Sequence, residues 1–166
     1  MMQAQVFWIE TPRHGRLGIL TRPRGDDWLR DETTAWREAG IDLVISLLEP
    51  AESTQLGLED ETVAAEFSGV IFRVFPIPDR GVPESREAVA ALIDDVVAAL
   101  EEGRTVAVHC RQGLGRSGLI AAGVLVARGM DLPEVLNAVS HARGVEVPET
   151  DEQREWLKGF ASWLRK

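Results

Sequence analysis

Cys110 is the only cysteine of the chain, and it stands six residues before Arg116 in a segment spaced by glycines. The stretch 104–108 before it predicts a buried strand, and the residues from Leu119 onward predict a helix. A turn between two such elements directs successive backbone N–H groups and the positive end of the helix towards one point. We therefore expect an anion to be held by Arg111-Gln112-Gly113-Leu114-Gly115 and Arg116, with Cys110 beneath it as a nucleophile in its thiolate form.

Each part of this segment also has an ordinary interpretation. A single free cysteine is more often a small buried hydrophobic residue than a catalyst, and a lone Gly-x-Gly is often only a turn. The combination of His109-Cys110 with Arg116-Ser117 is rarer, because ordinary residue frequencies give it in roughly one chain in a few thousand of this length. The segment resembles the signature loop of the cysteine-dependent protein tyrosine and dual-specificity phosphatases. The resemblance extends from about Arg16 to Gln153, but only the loop is highly specific.

Displacement of an oxygen from phosphorus also requires an acid, because the leaving oxygen departs poorly unless it is protonated. Asp79 is the candidate, in a loop that runs from Pro76 to Pro83 after a predicted strand. From the local pattern alone, an aspartate in Pro-Asp-Arg-Gly is most often a turn former. The resemblance implies the acid role, since Pro78-Asp79 is similar to the mobile acid loop of these phosphatases. The Pro-Ile-Pro-Asp form, with a glycine and a proline after it, is most similar to the kinase-associated phosphatase branch.

Three further residues belong to the candidate site. The planar fork of Arg116 can bind two phosphoryl oxygens at once, although a surface arginine at a helix start is the ordinary alternative. Ser117 can cap the helix, and the resemblance implies that its hydroxyl also hydrogen-bonds the thiolate. His109 is expected to point away from the pocket and to fix the loop through hydrogen bonds. His14 and His141 are expected to be ordinary surface or packing residues.

Gln153 has two interpretations of equal weight. The resemblance implies that it orients the water that hydrolyses a phosphocysteine intermediate. Thr150-Asp151-Glu152-Gln153 is also a capping-box pattern, in which threonine and glutamine satisfy each other's backbone donors at a helix start.

The composition limits the kind of protein. A length of 166 residues predicts one domain, residues 1–166, with a core that needs no disulfides. A net charge of −9 argues against nucleic-acid binding. The chain shows neither a leader sequence nor an apolar run long enough to span a membrane, and its Cys and His residues lack the spacing of a zinc site. We therefore expect a cytoplasmic protein with no metal or other cofactor and no membrane partner.

Strands that alternate with helices predict an α/β fold, with a central and mostly parallel sheet flanked by helices on both faces. Asp26 or Asp27 is expected to cap the first helix, which ends before Gly40, and Asp131 is expected to cap a later one. A turn is expected at 11–15. The predicted strands are 5–9, 16–20, 42–48, 70–75 and 104–108. The other predicted helices are 59–67, 89–100, one that follows the signature loop, 132–142 and a last one that starts at Thr150 and carries Trp156, Phe160 and Trp163.

These features favour a phosphatase that hydrolyses phosphotyrosine monoesters, with phosphoserine and phosphothreonine as further candidates, through a phosphocysteine. Its partner would be a phosphorylated protein or peptide. The loop contains no lysine, which favours a phosphoprotein over a phosphoinositide or another non-protein phosphate ester. A phosphate-binding module without turnover is the other alternative, and the joint presence of nucleophile, arginine and acid argues against it. The sequence leaves the physiological substrate and the oligomeric state open.

Overall fold

The computed structural model describes residues 3–11 and 13–166. Met1, Met2 and Pro12, the last within the expected turn 11–15, lie outside the described residues. The five strands form one sheet in the order β1-β2-β5-β3-β4. The strands are β1 (Val6–Ile9), β2 (Arg16–Leu20), β3 (Leu43–Ser46), β4 (Ile71–Val74) and β5 (Thr105–His109).

The sheet is parallel except for β1, which pairs with β2 in the antiparallel direction. β5 is buried at all its residues and lies in the middle, because its run of Val and Ala side chains can be covered on both faces. Ser46 at the end of β3 is in register with His109 at the end of β5. The residues that follow these two strands therefore emerge side by side at the carboxyl edge of the sheet, where ligands of parallel sheets bind.

Helices cover both faces of this sheet, as predicted. The helices are α1 (Leu29–Glu38), α2 (Pro50–Gln55), α3 (Glu61–Phe67), α4 (Arg86–Glu101), α5 (Arg116–Ala127), α6 (Leu132–Arg143) and α7 (Asp151–Leu164). One face of the sheet packs against α1 and α3 through a cluster that includes Trp36, Val44, Ala65 and Ala107. The other face is covered by α4, α5 and α6, and α7 packs against α5.

The helix α5 is the centre of the helical layer, and its first ten residues are all buried. Small residues on α5 let its neighbours approach closely. A Cβ added to Gly123 would lie 2.8 Å from Ile93 Cδ1, and one added to Gly118 would lie 3.2 Å from Val147 Cβ. This close packing fixes the start of α5, which carries Arg116. Within the described residues, the structure has no helix that is both long and apolar enough to cross a membrane.

Several local predictions were wrong. Neither Asp26 nor Asp27 caps α1, because a short 3-10 helix (Asp26–Trp28) precedes it and its first turn receives no side-chain cap. Asp131 occupies the N-cap position of α6, but its side chain makes no cap hydrogen bond.

Other predicted elements differ in their extent. The strand predicted at 42–48 spans only Leu43–Ser46, and the one predicted at 70–75 is a mostly exposed edge strand over Ile71–Val74. The helix predicted at 59–67 begins at Glu61. The helix α2 was missed, because six residues containing proline, serine and threonine carry little helical periodicity.

Candidate active site

The signature loop, residues 110–115, connects the central strand β5 to α5. Cys110 is 3% exposed, and the backbone N–H of Gly113 donates to its Sγ atom at 3.3 Å. Gly113 adopts a φ of +73°, a left-handed conformation that favours glycine and lets the loop curl over the thiol. The loop and the segment around Asp79 enclose a cavity of about 70 Å³. A cavity needs about 10–15 Å³ to hold a single water molecule, so this cavity has room for a phosphoryl group.

Arg116 lies at the first position of α5 and is almost completely buried. Its guanidinium donates to the carboxylate of Glu52 in a bidentate pair, with distances of 2.6 and 2.9 Å, and to the Ile77 carbonyl at 2.9 Å. Burial lowers the pKa of Arg116, but the hydrogen bonds to Glu52 and the surrounding negative charges outweigh it and raise that pKa above its ordinary value. The arginine fork is therefore a fixed positive charge at the cavity wall.

Glu52 on α2 is a site residue that sequence reasoning missed. It is 7% exposed, and its carboxylate also lies 3.6 Å from Arg111. Burial raises the pKa of the Glu52 carboxyl, and the hydrogen bonds from Arg116 and from the Glu49 backbone outweigh it and bring the pKa below 4.5. The sequence did carry a signal, since Glu49-Pro50-Ala51-Glu52 forms a capping box directly after a buried strand.

We expect Glu52→Gln to destabilise the protein by about 3 kcal/mol at neutral pH, because it leaves Arg116 buried without its charged partner. A lowered pKa in the folded state means that this stabilisation is present above pH 4.5 and is lost as the pH falls through the lowered value. Urea unfolding from pH 7 to pH 3 should therefore show the parent and the variant converging in acid. Glu155→Gln, in an exposed pair with Lys158, is the matched control and should change little. A constant difference between parent and variant at every pH would contradict the ion-pair explanation.

Asp79 lies at the cavity, on the loop after β4. Its Oδ1 atom is 3.1 Å from Arg116 Nη2, and its side chain is half exposed. The next residue, Arg80, has a φ of 61° and pairs with Glu149 at 3.2 Å. Glu149 also lines the cavity and is a second carboxylate that the sequence analysis did not single out. The structure thus brings the predicted acid to the predicted arginine.

Gln153 is fully buried at the start of α7. Its side-chain Oε1 atom accepts a hydrogen bond from the Thr150 backbone N–H, and the Gln153 backbone N–H donates to Thr150 Oγ1. Both distances are 3.1 Å, so the predicted capping box is present. Its Nε2 donates at 3.0 Å to the carbonyl of Gly81, in the loop that carries Asp79. A Cβ added to Gly115 would lie only 2.8 Å from the Gln153 amide nitrogen. The same side chain therefore caps the helix and borders both loops of the site.

We expect Gln153→Ala to lower stability by about 1 kcal/mol, because the capping box is lost. A role in positioning water predicts, in addition, that phosphocysteine accumulates and can be trapped by acid quenching during turnover. Thr150→Ala is the matched control, since it removes the other half of the capping box and leaves the amide in place. Normal steady-state rates in the glutamine variant, with a lowered melting temperature in both, would contradict the water-positioning role.

His109 is fully buried and does not line the cavity. One ring nitrogen, Nε2, lies 2.5 Å from the carboxylate of Glu61, and the other lies 3.3 Å from the Cys110 carbonyl. The role of His109 in fixing the loop through hydrogen bonds stays a prediction. Ser117 Oγ is buried and has no hydrogen-bond partner among the described residues, so the expected bond to the thiolate is not formed here. His14 and His141 are exposed and lie outside the cavity lining.

The sheet order, the loop after the central strand and the Cys-x5-Arg spacing define a fold of the protein tyrosine and dual-specificity phosphatase class. Residues 19–130 match a family model described as "Polymorphic toxin system, DSP-PTPase phosphatase", and the chain belongs to this family. The predicted resemblance to the dual-specificity phosphatase superfamily is confirmed.

Named relatives and solved structures agree with this assignment. Rat cyclin-dependent kinase inhibitor 3 is 23% identical over 138 residues, which are 82% of this chain and 65% of that protein. Mouse protein tyrosine phosphatase domain-containing protein 1 is 38% identical over 95 residues, which are 52% of this chain and 12% of that protein. The chain thus spans less than two thirds of the length of these curated relatives.

Solved structures match over most of the chain. Kinase-associated phosphatase, with its catalytic-site cysteine replaced by serine, has a TM-score of 0.90 at 19% identity and covers 99% of this chain and 98% of its own. Tk-PTP in its active form has a TM-score of 0.77 at 30% identity, and the match covers 95% of this chain and 96% of Tk-PTP. PTPMT1 in complex with PI(5)P has a TM-score of 0.74 at 20% identity, covering 90% and 92%.

Proposed function

We propose that this protein is a phosphoprotein phosphatase that works through a phosphocysteine intermediate and needs no metal. The observation that carries the proposal is the convergence of Cys110, Arg116 and Asp79 on one cavity of phosphoryl size. A phosphate-binding module would need the arginine and the backbone N–H groups, but it would have no use for a thiol and a carboxyl group on either side of the anion. The chemistry of the three groups therefore favours turnover.

In the first step, the Cys110 thiolate attacks phosphorus and a bond forms between sulfur and phosphorus. The bond from phosphorus to the substrate oxygen breaks, and Asp79 gives its proton to that oxygen. Arg116 and the loop N–H groups hold the three other oxygens, where negative charge spreads in the transition state. The products of this step are a free alcohol or phenol, an ionised Asp79 and phosphocysteine.

The ion pair between Asp79 and Arg116 gives substrate binding a second effect. A bound phosphoryl group competes for the same guanidinium nitrogen, which lies 3.1 Å from the Asp79 carboxylate. Once the Asp79 carboxylate is displaced from Arg116, it is free to turn towards the leaving oxygen of the substrate. Binding thus releases the acid from its ion pair before the proton transfer.

In the second step, ionised Asp79 takes a proton from a water molecule, and the water oxygen attacks phosphorus. The bond between sulfur and phosphorus breaks, which releases inorganic phosphate and restores the thiolate. We assign the orientation of this water to Gln153, and the support is that its amide borders both the signature loop and the loop that carries Asp79. The reaction consumes one water for each ester.

Phosphorylated protein side chains are the proposed substrates, with phosphotyrosine first and phosphoserine and phosphothreonine after it. The loop positions between Arg111 and Arg116 carry no lysine that could meet additional phosphates of a headgroup. The structural similarity to PTPMT1, whose structure contains PI(5)P, makes a phosphoinositide the second candidate.

Initial rates on phosphotyrosine peptides, phosphothreonine peptides and phosphoinositide vesicles, each with excess chelator, test the proposal. We expect the peptides to be hydrolysed faster and the chelator to have no effect. Faster hydrolysis of the vesicles would assign the second candidate. Phosphate binding without hydrolysis of any substrate would overturn the proposal in favour of a binding module.

A further inference from the structure

Arg143 is the last residue of α6, and its side chain reaches across to the signature loop. The helix ends directly after it, at Gly144, which has a φ of +83°. Arg143 Nε donates to the Gly113 carbonyl at 3.0 Å, and Nη2 donates to the Gln112 carbonyl at 3.2 Å. One guanidinium therefore holds two consecutive carbonyl groups of the loop that surrounds Cys110.

Because the peptide bond is planar, these two contacts also set the direction of the backbone N–H groups that follow the two carbonyls. In a trans peptide, the C=O of one residue and the N–H of the next point in opposite directions. The Gln112 carbonyl points towards Arg143, so the Gly113 N–H points inward, where it donates to Cys110 Sγ at 3.3 Å. By the same geometry, holding the Gly113 carbonyl turns the Leu114 N–H away from Arg143.

The guanidinium is itself held in place. It lies over the ring of Phe7 on β1, with Arg143 Cζ 4.2 Å from the ring centroid, and the side chain is half-buried. A planar guanidinium can stack on a ring and donate in two directions at once, which an ammonium group cannot do. Its positive charge next to the two carbonyl oxygens also polarises the peptides, so that their N–H ends attract an anion more strongly.

We propose that Arg143 is a positioning residue for oxyanion binding: it fixes the loop peptides with their N–H groups facing the thiol and the phosphoryl oxygens. It acts through the loop and does not line the cavity. Because the loop is oriented before the ligand arrives, binding does not bear the full conformational cost of ordering it. The inference rests on the proposed function only in taking the bound anion to be a phosphoryl group.

The test compares Arg143→Lys, Arg143→Met and the parent in a buffer without phosphate. The affinity for inorganic phosphate is measured from the protection of Cys110 against alkylation by iodoacetate, which needs no turnover. We expect Arg143→Met to weaken phosphate binding about tenfold or more, because two loop peptides lose their anchor. Arg143→Lys should stay within about threefold of the methionine variant, since a point charge cannot hold both carbonyls. On an aryl phosphate, kcat/KM should fall in parallel.

Arg30→Met is the matched control. Arg30 lies over the Phe67 ring at the same 4.2 Å but makes no contact with the signature loop, and its removal changes the net charge equally. This variant should bind phosphate like the parent. Melting temperatures of all variants are measured in parallel.

Two results would overturn this inference and leave the proposed function intact. Unchanged phosphate affinity with a lowered melting temperature would make Arg143 a structural brace, and full recovery in Arg143→Lys would make its role one of charge only. A parent that binds phosphate but hydrolyses nothing would overturn the proposed function, while weaker binding in the variants would still support the inference. A parent that binds no phosphate would overturn both.

Discussion

Cys110→Ser is expected to abolish turnover while the protein still binds phosphate. Serine keeps the size of the side chain and the backbone cradle, but it does not supply an anionic nucleophile at neutral pH. Because phosphocysteine cannot form, the loss should be complete for every substrate, including activated aryl phosphates. Steady-state rates give the first part of this prediction, and phosphate binding by calorimetry gives the second.

The result depends on the purity of the variant, since traces of another phosphatase can imitate residual activity. Ser117→Ala is an informative companion, because it removes a buried hydroxyl that has no hydrogen-bond partner in the described part of the chain and leaves the nucleophile intact. It should slow the reaction without abolishing it. Hydrolysis by purified Cys110→Ser at a rate within tenfold of the parent would contradict the assignment of Cys110 as the nucleophile.

Asp79→Asn is expected to lower the rate by about 10²–10⁴ for substrates with poor leaving groups, the size usual for a lost general acid. Aryl phosphates with good leaving groups should lose much less, since their oxygen departs with little protonation. The basic limb of the pH profile should flatten, because the group that must be protonated has been removed. A series of aryl phosphates of graded leaving-group pKa, with an alkyl phosphate at one end, measures this dependence.

Substrate binding should respond in the opposite direction. Asparagine cannot form the ion pair that Asp79 makes with Arg116, so the fork is freer to receive phosphate, and KM should stay level or fall. Asp94→Asn on α4 is the control for the change in net charge, because Asp94 is exposed and does not line the cavity. An equal loss across all leaving groups would mean that Asp79 is structural, and Glu149 would be the next carboxylate to test.

The parts of the fold that followed from the sequence are those with a strong local cause. The helix α4 was predicted because Val89, Leu92, Ile93, Val96 and Leu100 follow the helical period, and all five are buried. The central strand β5 was predicted from its run of apolar residues. The failures lie where local signals are weak, as in the short helix α2, or where a short 3-10 helix stands in place of the expected cap, as before α1.

The sequence by itself determined the signature loop. Cys110, the glycines and Arg116 stand within seven consecutive residues, so the local chain brings the thiol, the N–H groups and the start of α5 close together, while the two peptides that Arg143 contacts depend on α6 as well. The Thr150 and Gln153 capping box is local in the same way, and it is present as predicted.

Only the tertiary structure decided what surrounds that loop. Glu52 lies 64 positions before Arg116 and Asp79 lies 37 before it, and they meet because β5 is inserted beside β3 in the sheet. Arg143 reaches the loop from a helix 30 positions further along the chain, and the Gln153 amide reaches Gly81 across 72. Such pairs depend on strand order and helix packing, which no short segment encodes. A nucleophile and the backbone N–H groups around it, in contrast, can lie within one short stretch of consecutive residues.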